Sequence, residues 1–159
     1  MGIDQDFGKA YAKAQLAAGK SLPIGGNVFV SVSDKDKNTI LPACRQLIML
    51  GFSIVATRGT AAFLEKAGLP VRVVNKVFEG RPDILDAMKN GDIHLVFNTT
   101  EAPQTKRDSF FTRQTAIQQR IPYCTTIAGS LAAVGAIRVL QQGGLGVMSL
   151  QQRLKKLRD

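Results

Sequence analysis

The residues Thr57-Arg58-Gly59-Thr60 join an apolar run, SIVAT, to a helical one, AAFLEKAG. Their types suit an anion. The first turn of a helix carries free N–H groups and the positive end of the helix dipole, which favour a phosphate. Gly59 lets the backbone come close. Thr57 and Thr60 add hydroxyls. The plainer account is a strand end followed by an N-cap, since Thr serves both. Other residues raise the functional reading because they follow predicted strands. Ser31 and Lys37 follow the first, Lys76 the third, and Asn98-Thr99-Thr100 the fourth. Two lysines could neutralise phosphate charge, and the amide and hydroxyls could bond a ribose or a base. Together they suit a nucleoside monophosphate.

A catalytic set is harder to assemble. No serine sits in a nucleophile elbow. The single histidine, His94, precedes a strand without an acidic partner and reads as structural. Glu79, Asp83 and Glu101 could act as general acids or bases, but each also reads as a solvated loop carboxylate. Binding without chemistry is the simpler account.

These residues need elements to place them. Hydrophobic periodicity predicts strands at 27–33, 52–57, 70–75, 93–100 and 121–126. Helices are predicted at 38–50, 60–68, 83–91, 105–120 and 128–144, and glycines close several of them. Strand and helix alternate, so the fold is a three-layer α/β/α with a parallel sheet, and all the strand ends lie on one edge. An earlier helix at 4–19 places Phe7, Tyr11, Ala14 and Ala18 on one stripe and is followed by a Gly/Pro break. Ser149 and Gln152 form a capping box for a short basic tail helix.

Composition narrows the classes. The chain has 159 residues, 45% hydrophobic, with 6% aromatic and a net charge of +9. One domain of cytoplasmic type is expected. No apolar run approaches the ~20 residues a membrane helix needs. The two cysteines, Cys44 and Cys124, lack metal-ligand spacing. Lys106, Arg107, Arg113 and Arg120, with the basic tail, could draw nucleic acid, but no nucleic-acid motif accompanies them. A solvated face that attracts small anions fits better.

The stretches VFVSVSDKDK, GFSIVATRGTAAFLEKAG, VNKVFEGRPDI, NTT and IPYCTTIAG carry a resemblance. From about Gly26 onward the chain resembles the C-terminal allosteric domain of the carbamoyl phosphate synthetase large subunit, a methylglyoxal-synthase-like fold. NKVFEGRPDI is the most specific stretch. Residues 2–23 look like the end of the preceding synthetase domain, so the expected division is 1–23 and 24–159. The resemblance implies a five-stranded sheet of order 3-2-1-4-5 and a nucleotide effector, UMP as inhibitor or IMP as activator. It implies that Lys37, Thr57, Gly59 and Thr60 hold the phosphate, and that Lys76, Asn98, Thr99 and Thr100 line the ribose and base end. Members that respond to ornithine use a Tyr and a Thr in the segment matching IPYCTT, here Tyr123 and Thr125. Cys124 stands where some members have Asp.

The resemblance further implies a regulatory part of an ATP-dependent ligase serving pyrimidine and arginine synthesis. This chain would hold no catalytic site and no cofactor of its own; the full enzyme would use ATP with Mg or Mn. The expected partners are the rest of the large subunit and the glutaminase small subunit, with neither nucleic acid nor membrane. Two relatives imply enzymes instead. Methylglyoxal synthase eliminates phosphate with an aspartate, where this chain has Arg81 and, two residues on, Asp83. The inosinate cyclohydrolase domain shares the SVSDK opening and a similar turn, but its later loop differs from NKVFEGRPDI.

Overall fold

The computed structural model describes residues 1–99 and 103–156, with side chains for 1–99 and 107–155. Five strands pair in parallel in the order β3-β2-β1-β4-β5. They are β1 (Gly26–Val32), β2 (Phe52–Thr57), β3 (Val71–Val74), β4 (Leu95–Thr99) and β5 (Tyr123–Cys124). The helices are α1 (Phe7–Ala17), α2 (Lys37–Met49), α3 (Arg58–Lys66), α4 (Ile84–Lys89), α5 (Pro103–Gln118), α6 (Ile127–Gln141) and α7 (Leu150–Lys156), and a 3₁₀ turn, Asp34–Asp36, leads into α2. The expected architecture and strand order are therefore observed.

Successive strand side chains point to opposite faces, and two cores follow. Val28, Val30, Val32, Ile54, Leu95 and Phe97 pack with α2, α3 and α6 through Ile40, Cys44, Leu47, Leu64 and Ile137. On the other face Phe29, Val55 and Val96 pack with Ile84 and Met88 of α4 and Ala116 of α5. Both faces are covered, which is why the strands read as nearly continuous apolar runs.

Most boundaries shift by one to three residues from expectation, and three of the differences have a clear local cause. Helix α3 begins at Arg58, two residues early, because Thr57 is still extended and serves as N-cap. Strand β5 is only Tyr123–Cys124: Pro122 has no N–H to donate and contributes its carbonyl to Val96 N at 2.9 Å, while Thr126 is already the N-cap of α6. Helix α1 begins at Phe7, where Asp6 caps Lys9 N at 2.9 Å.

The buried face of α1 is also not the expected stripe. Phe7 is 70% exposed, whereas Gly8 and Ala12 are buried. A Cβ on Gly8 would lie 2.9 Å from the carbonyl oxygen of Gly135 in α6. Gly8 lets the helix backbones approach, so smallness rather than hydrophobicity selects the face. Ala12 and Leu22 thereby join the larger core.

A second glycine is required at the start of β1. Gly26 has φ of 107°, and a Cβ there would sit 2.5 Å from Nδ1 of His94. That nitrogen accepts from Asn27 N at 3.1 Å. His94 thus pins β1 to the start of β4, a structural role.

Candidate functional site

The site follows from strand periodicity. Phe29, Val55 and Val96 are core residues of the α4/α5 face. Two positions further along the same strands come Ser31, Thr57 and Asn98. The apolar row becomes a polar row where the strands end. Ser31 pairs with Asn98 across β1 and β4, and its hydroxyl lies 3.5 Å from that of Thr57. All three side chains are buried, and they line one pocket with Phe29, Lys76, Val77, Ile84, Asp108, Ser109 and Thr112. The enclosed space is only about 20 Å³, near that of one water. A larger ligand must push the side chains of the mouth aside.

Asn98 is the unusual member. Its Nδ2 donates to Tyr123 Oη at 2.7 Å and to Ser109 Oγ at 3.3 Å. Its Oδ1 is buried and has no hydrogen-bond partner among the described residues. Burial without a partner is costly for a polar amide atom, so this end of Asn98 is left for a polar group of a ligand.

The second region lies at the start of α3. Thr57 caps this helix with its backbone extended, and its side chain makes no capping bond. First-turn N–H groups therefore have no side-chain cap. The Nζ of Lys37 lies 4.0 Å from where a Cβ of Gly59 would sit, and it pairs with Asp34 at 2.7 Å. A cation thus stands over the glycine of the turn. Asp34 is almost fully exposed and can yield Lys37 to a stronger anion. Thr60 is buried in the first turn and accepts from Val32 N at 3.4 Å.

Other expected residues lie elsewhere. Thr99 follows Asn98 and so faces the other side of the sheet. It donates to Asp36 Oδ2 at 2.6 Å and accepts from Ser33 N at 3.4 Å. It braces the β1–α2 loop and is absent from the pocket lining. Tyr123 supports Asn98 from behind, and Arg113 stacks on its ring at 5.7 Å. Thr125 is exposed. Thr100 and the side chain of Lys106 fall outside the described residues. Asp83 caps α4, accepting from Leu85 N and Asp86 N at 2.8 and 3.1 Å. That engagement occupies the carboxylate considered for phosphate elimination. Arg81 pairs with Asp86 at 3.7 Å.

Sequence reasoning missed Val77, Ile84 and the α5 wall of Asp108, Ser109 and Thr112. The 108, 109, 112 spacing is a polar stripe on a helix, but which way it faces depends on how α5 seats on the sheet. Burial pushes the Asp108 carboxyl above the usual range, and Glu79 adds to this; Lys76 and Arg107 pull it back. Among the described residues no cluster of three metal-ligating side chains occurs, and no helix is long and apolar enough to cross a membrane.

A parallel sheet of order 3-2-1-4-5 covered by helices on both faces defines a three-layer α/β/α domain. The family model described as the MGS-like domain matches residues 39–125, and the chain belongs to that family. It is similar to the carbamoyl phosphate synthase large chain of Nostoc, 47% identical over 96% of this chain and 14% of that one. The large chain of Brucella suis is 48% identical over 95% of this chain and 13% of that one. In Methanopyrus kandleri the relative is a separate C-terminal section, 48% identical over 94% of this chain and 28% of its own length. The chain thus spans about a seventh of the full-length relatives and corresponds to part of their C-terminal section. A solved structure, that of ForH, aligns at 20% identity with a TM-score of 0.45, over 82% of this chain and 87% of that one; the sheet order carries the fold assignment instead.

Proposed function

We propose that this chain is the regulatory domain of a carbamoyl phosphate synthase large chain and binds a nucleoside monophosphate, UMP or IMP. Lys37 and the first turn of α3, with Thr57, Gly59 and Thr60, take the phosphate. Lys76, Asn98 and the α5 residues Asp108 and Ser109 meet the ribose and base. The observation that carries the reading is the buried, unpaired Oδ1 of Asn98. It leaves a polar amide atom for the part of the ligand beyond the phosphate, and the hydroxyls and amides of a ribose or base can bond it. Tyr123, held against Asn98, is the residue through which a second effector such as ornithine would act on the pocket, with Thr125 beside it.

The rest of the large chain is the expected partner, with the glutaminase subunit beyond it. An exposed apolar groove supports this. Its lining includes Ile3, Leu16, Val147, Met148 and Leu150, on the side formed by the N-terminal segment and α7. Synthesis of carbamoyl phosphate, with ATP and Mg or Mn, belongs to that remainder.

The test compares UMP, IMP and orthophosphate by ligand-induced thermal shift. Asn98→Ala is expected to weaken UMP while leaving orthophosphate unchanged. Lys37→Ala is expected to weaken both by about tenfold or more, the usual loss for a charge-assisted bond. Equal loss of both ligands in Asn98→Ala would place Asn98 outside the recognition of ribose or base.

One observation favours a second reading, a phosphate-eliminating lyase. Asp108 is a carboxylate of the pocket wall whose proton affinity is raised, as a general base requires. Phosphate release from dihydroxyacetone phosphate, lost in Asp108→Asn, would establish it; release at the buffer rate removes it.

A further inference from the structure

Residues 76–79 make a tight turn, with Glu79 N donating to the carbonyl of Lys76 at 3.1 Å. Its third residue, Phe78, has φ of 69°. A turn with positive φ at this position alone normally carries glycine, and a bulky residue there is strained. Burial does not explain Phe78, which is 67% exposed. What holds it is a set of ring contacts. The guanidinium of Arg107 lies over the ring at 5.2 Å, and Phe111 meets it edge-on at 5.7 Å.

The position of this contact matters. Lys76 and Val77 form one wall of the pocket, and Asp108 and Ser109 form another. Phe78 directly follows the first pair and Arg107 directly precedes the second. Their contact therefore joins the two segments that carry these walls. A ligand that fills the pocket touches both walls, each one residue in sequence from Phe78 or Arg107. Strain stored at an exposed aromatic beside a pocket points to use rather than packing.

We propose that Phe78 and Arg107 form a stacking platform for a planar aromatic ring, the nucleobase of the bound nucleotide. The proposal rests on the nucleotide reading above and adds the residues that tell a nucleotide from a sugar phosphate. An exposed aromatic face and a flat guanidinium both stack on any base. The platform therefore favours a base over none more strongly than one base over another.

The test measures dissociation constants for UMP, IMP and ribose 5-phosphate by calorimetry. The native chain is expected to bind UMP about tenfold or more tightly than ribose 5-phosphate. Phe78→Gly suits the positive φ, so it removes the ring and relieves the backbone strain at that residue. In that variant the ratio is expected to fall close to one with ribose 5-phosphate affinity unchanged. Phe78→Tyr keeps a ring and should keep the ratio. A tenfold ratio persisting in Phe78→Gly would overturn the platform. Equal native affinity for UMP and ribose 5-phosphate would also overturn it while leaving phosphate and ribose recognition standing. Absence of binding by any of the three would remove the nucleotide reading itself, and the platform with it.

Discussion

At the residue scale, Asp36 holds the β1–α2 loop that places Lys37. Ser33 Oγ and Thr99 Oγ1 donate to Oδ2 of Asp36 at 2.7 and 2.6 Å, and both bonds hold its carboxyl below the usual range. A folded-state pKa below the unfolded one stabilises above the ordinary carboxylate range, and the gain is lost as pH falls through the folded value. Asp36→Asn is therefore expected to lower stability by about 1 kcal/mol at pH 7, the modest end for bonds to a partly solvated charge. In acid, once pH falls below the depressed folded-state pKa, the variant and the native chain should converge. Urea melts at pH 7 and in acid check this; an equal gap at both would contradict it. The thiols give a second residue-scale prediction. Burial pushes Cys44 up to about 12 and Cys124 up to about 11. At pH 8 neither is appreciably thiolate, the reactive form. A thiol-disulfide reagent should label neither quickly in the native chain and both after denaturation; rapid native labelling would contradict their burial.

Elements set the next scale, where α1 and α6 cross at Gly8 and Gly135. Replacing a helix glycine by alanine usually stabilises a helix by about 0.5–1 kcal/mol. Here the new Cβ would meet a backbone oxygen at 2.9 Å. Overpacking of this kind costs about 1–3 kcal/mol, so Gly8→Ala should destabilise despite the better propensity. Thermal melts showing an unchanged or higher Tm would mean that α1 is not held against α6. At the β3–α4 loop, the edge-to-face pair adds about 0.5–1.5 kcal/mol and the cation–π contact about 0.5–1. A left-handed residue costs about 1–2 kcal/mol. These nearly balance, so the platform residue is held by contacts that a stacked ring can readily replace.

Legibility in the sequence divides along the same line. Strand β2 is read to the residue, and the end-of-strand rule finds Ser31, Thr57 and Asn98 because each element announces its own period. The α5 wall is not read, because Asp108, Ser109 and Thr112 reach the pocket only through the seating of one helix on β4. Thr99 joins the expected site through the resemblance, and period two sends it to the face opposite Asn98. The inner face of α1 is hidden because Gly8 carries no hydrophobic signal, and the turn at Phe78 because a Phe codes poorly for positive φ.

For the whole molecule, the chain matches part of the C-terminal section of a carbamoyl phosphate synthase large chain, and the proposed partner is the remainder of such a chain. Effector coupling between two sites is typically about 1–3 kcal/mol and is reciprocal. A large chain with its substrates bound should therefore bind UMP with an affinity altered by the same factor by which UMP alters substrate binding. The buried polar row ending at Asn98 joins all the scales, since it is a residue pattern, a strand-end position and the floor of the pocket at once. The most direct test is calorimetric titration of UMP into this chain, with orthophosphate as reference. One saturable site that prefers UMP, with the preference lost in Asn98→Ala, is the predicted result. No heat at millimolar UMP, or binding no tighter than that of orthophosphate, would contradict a nucleotide site.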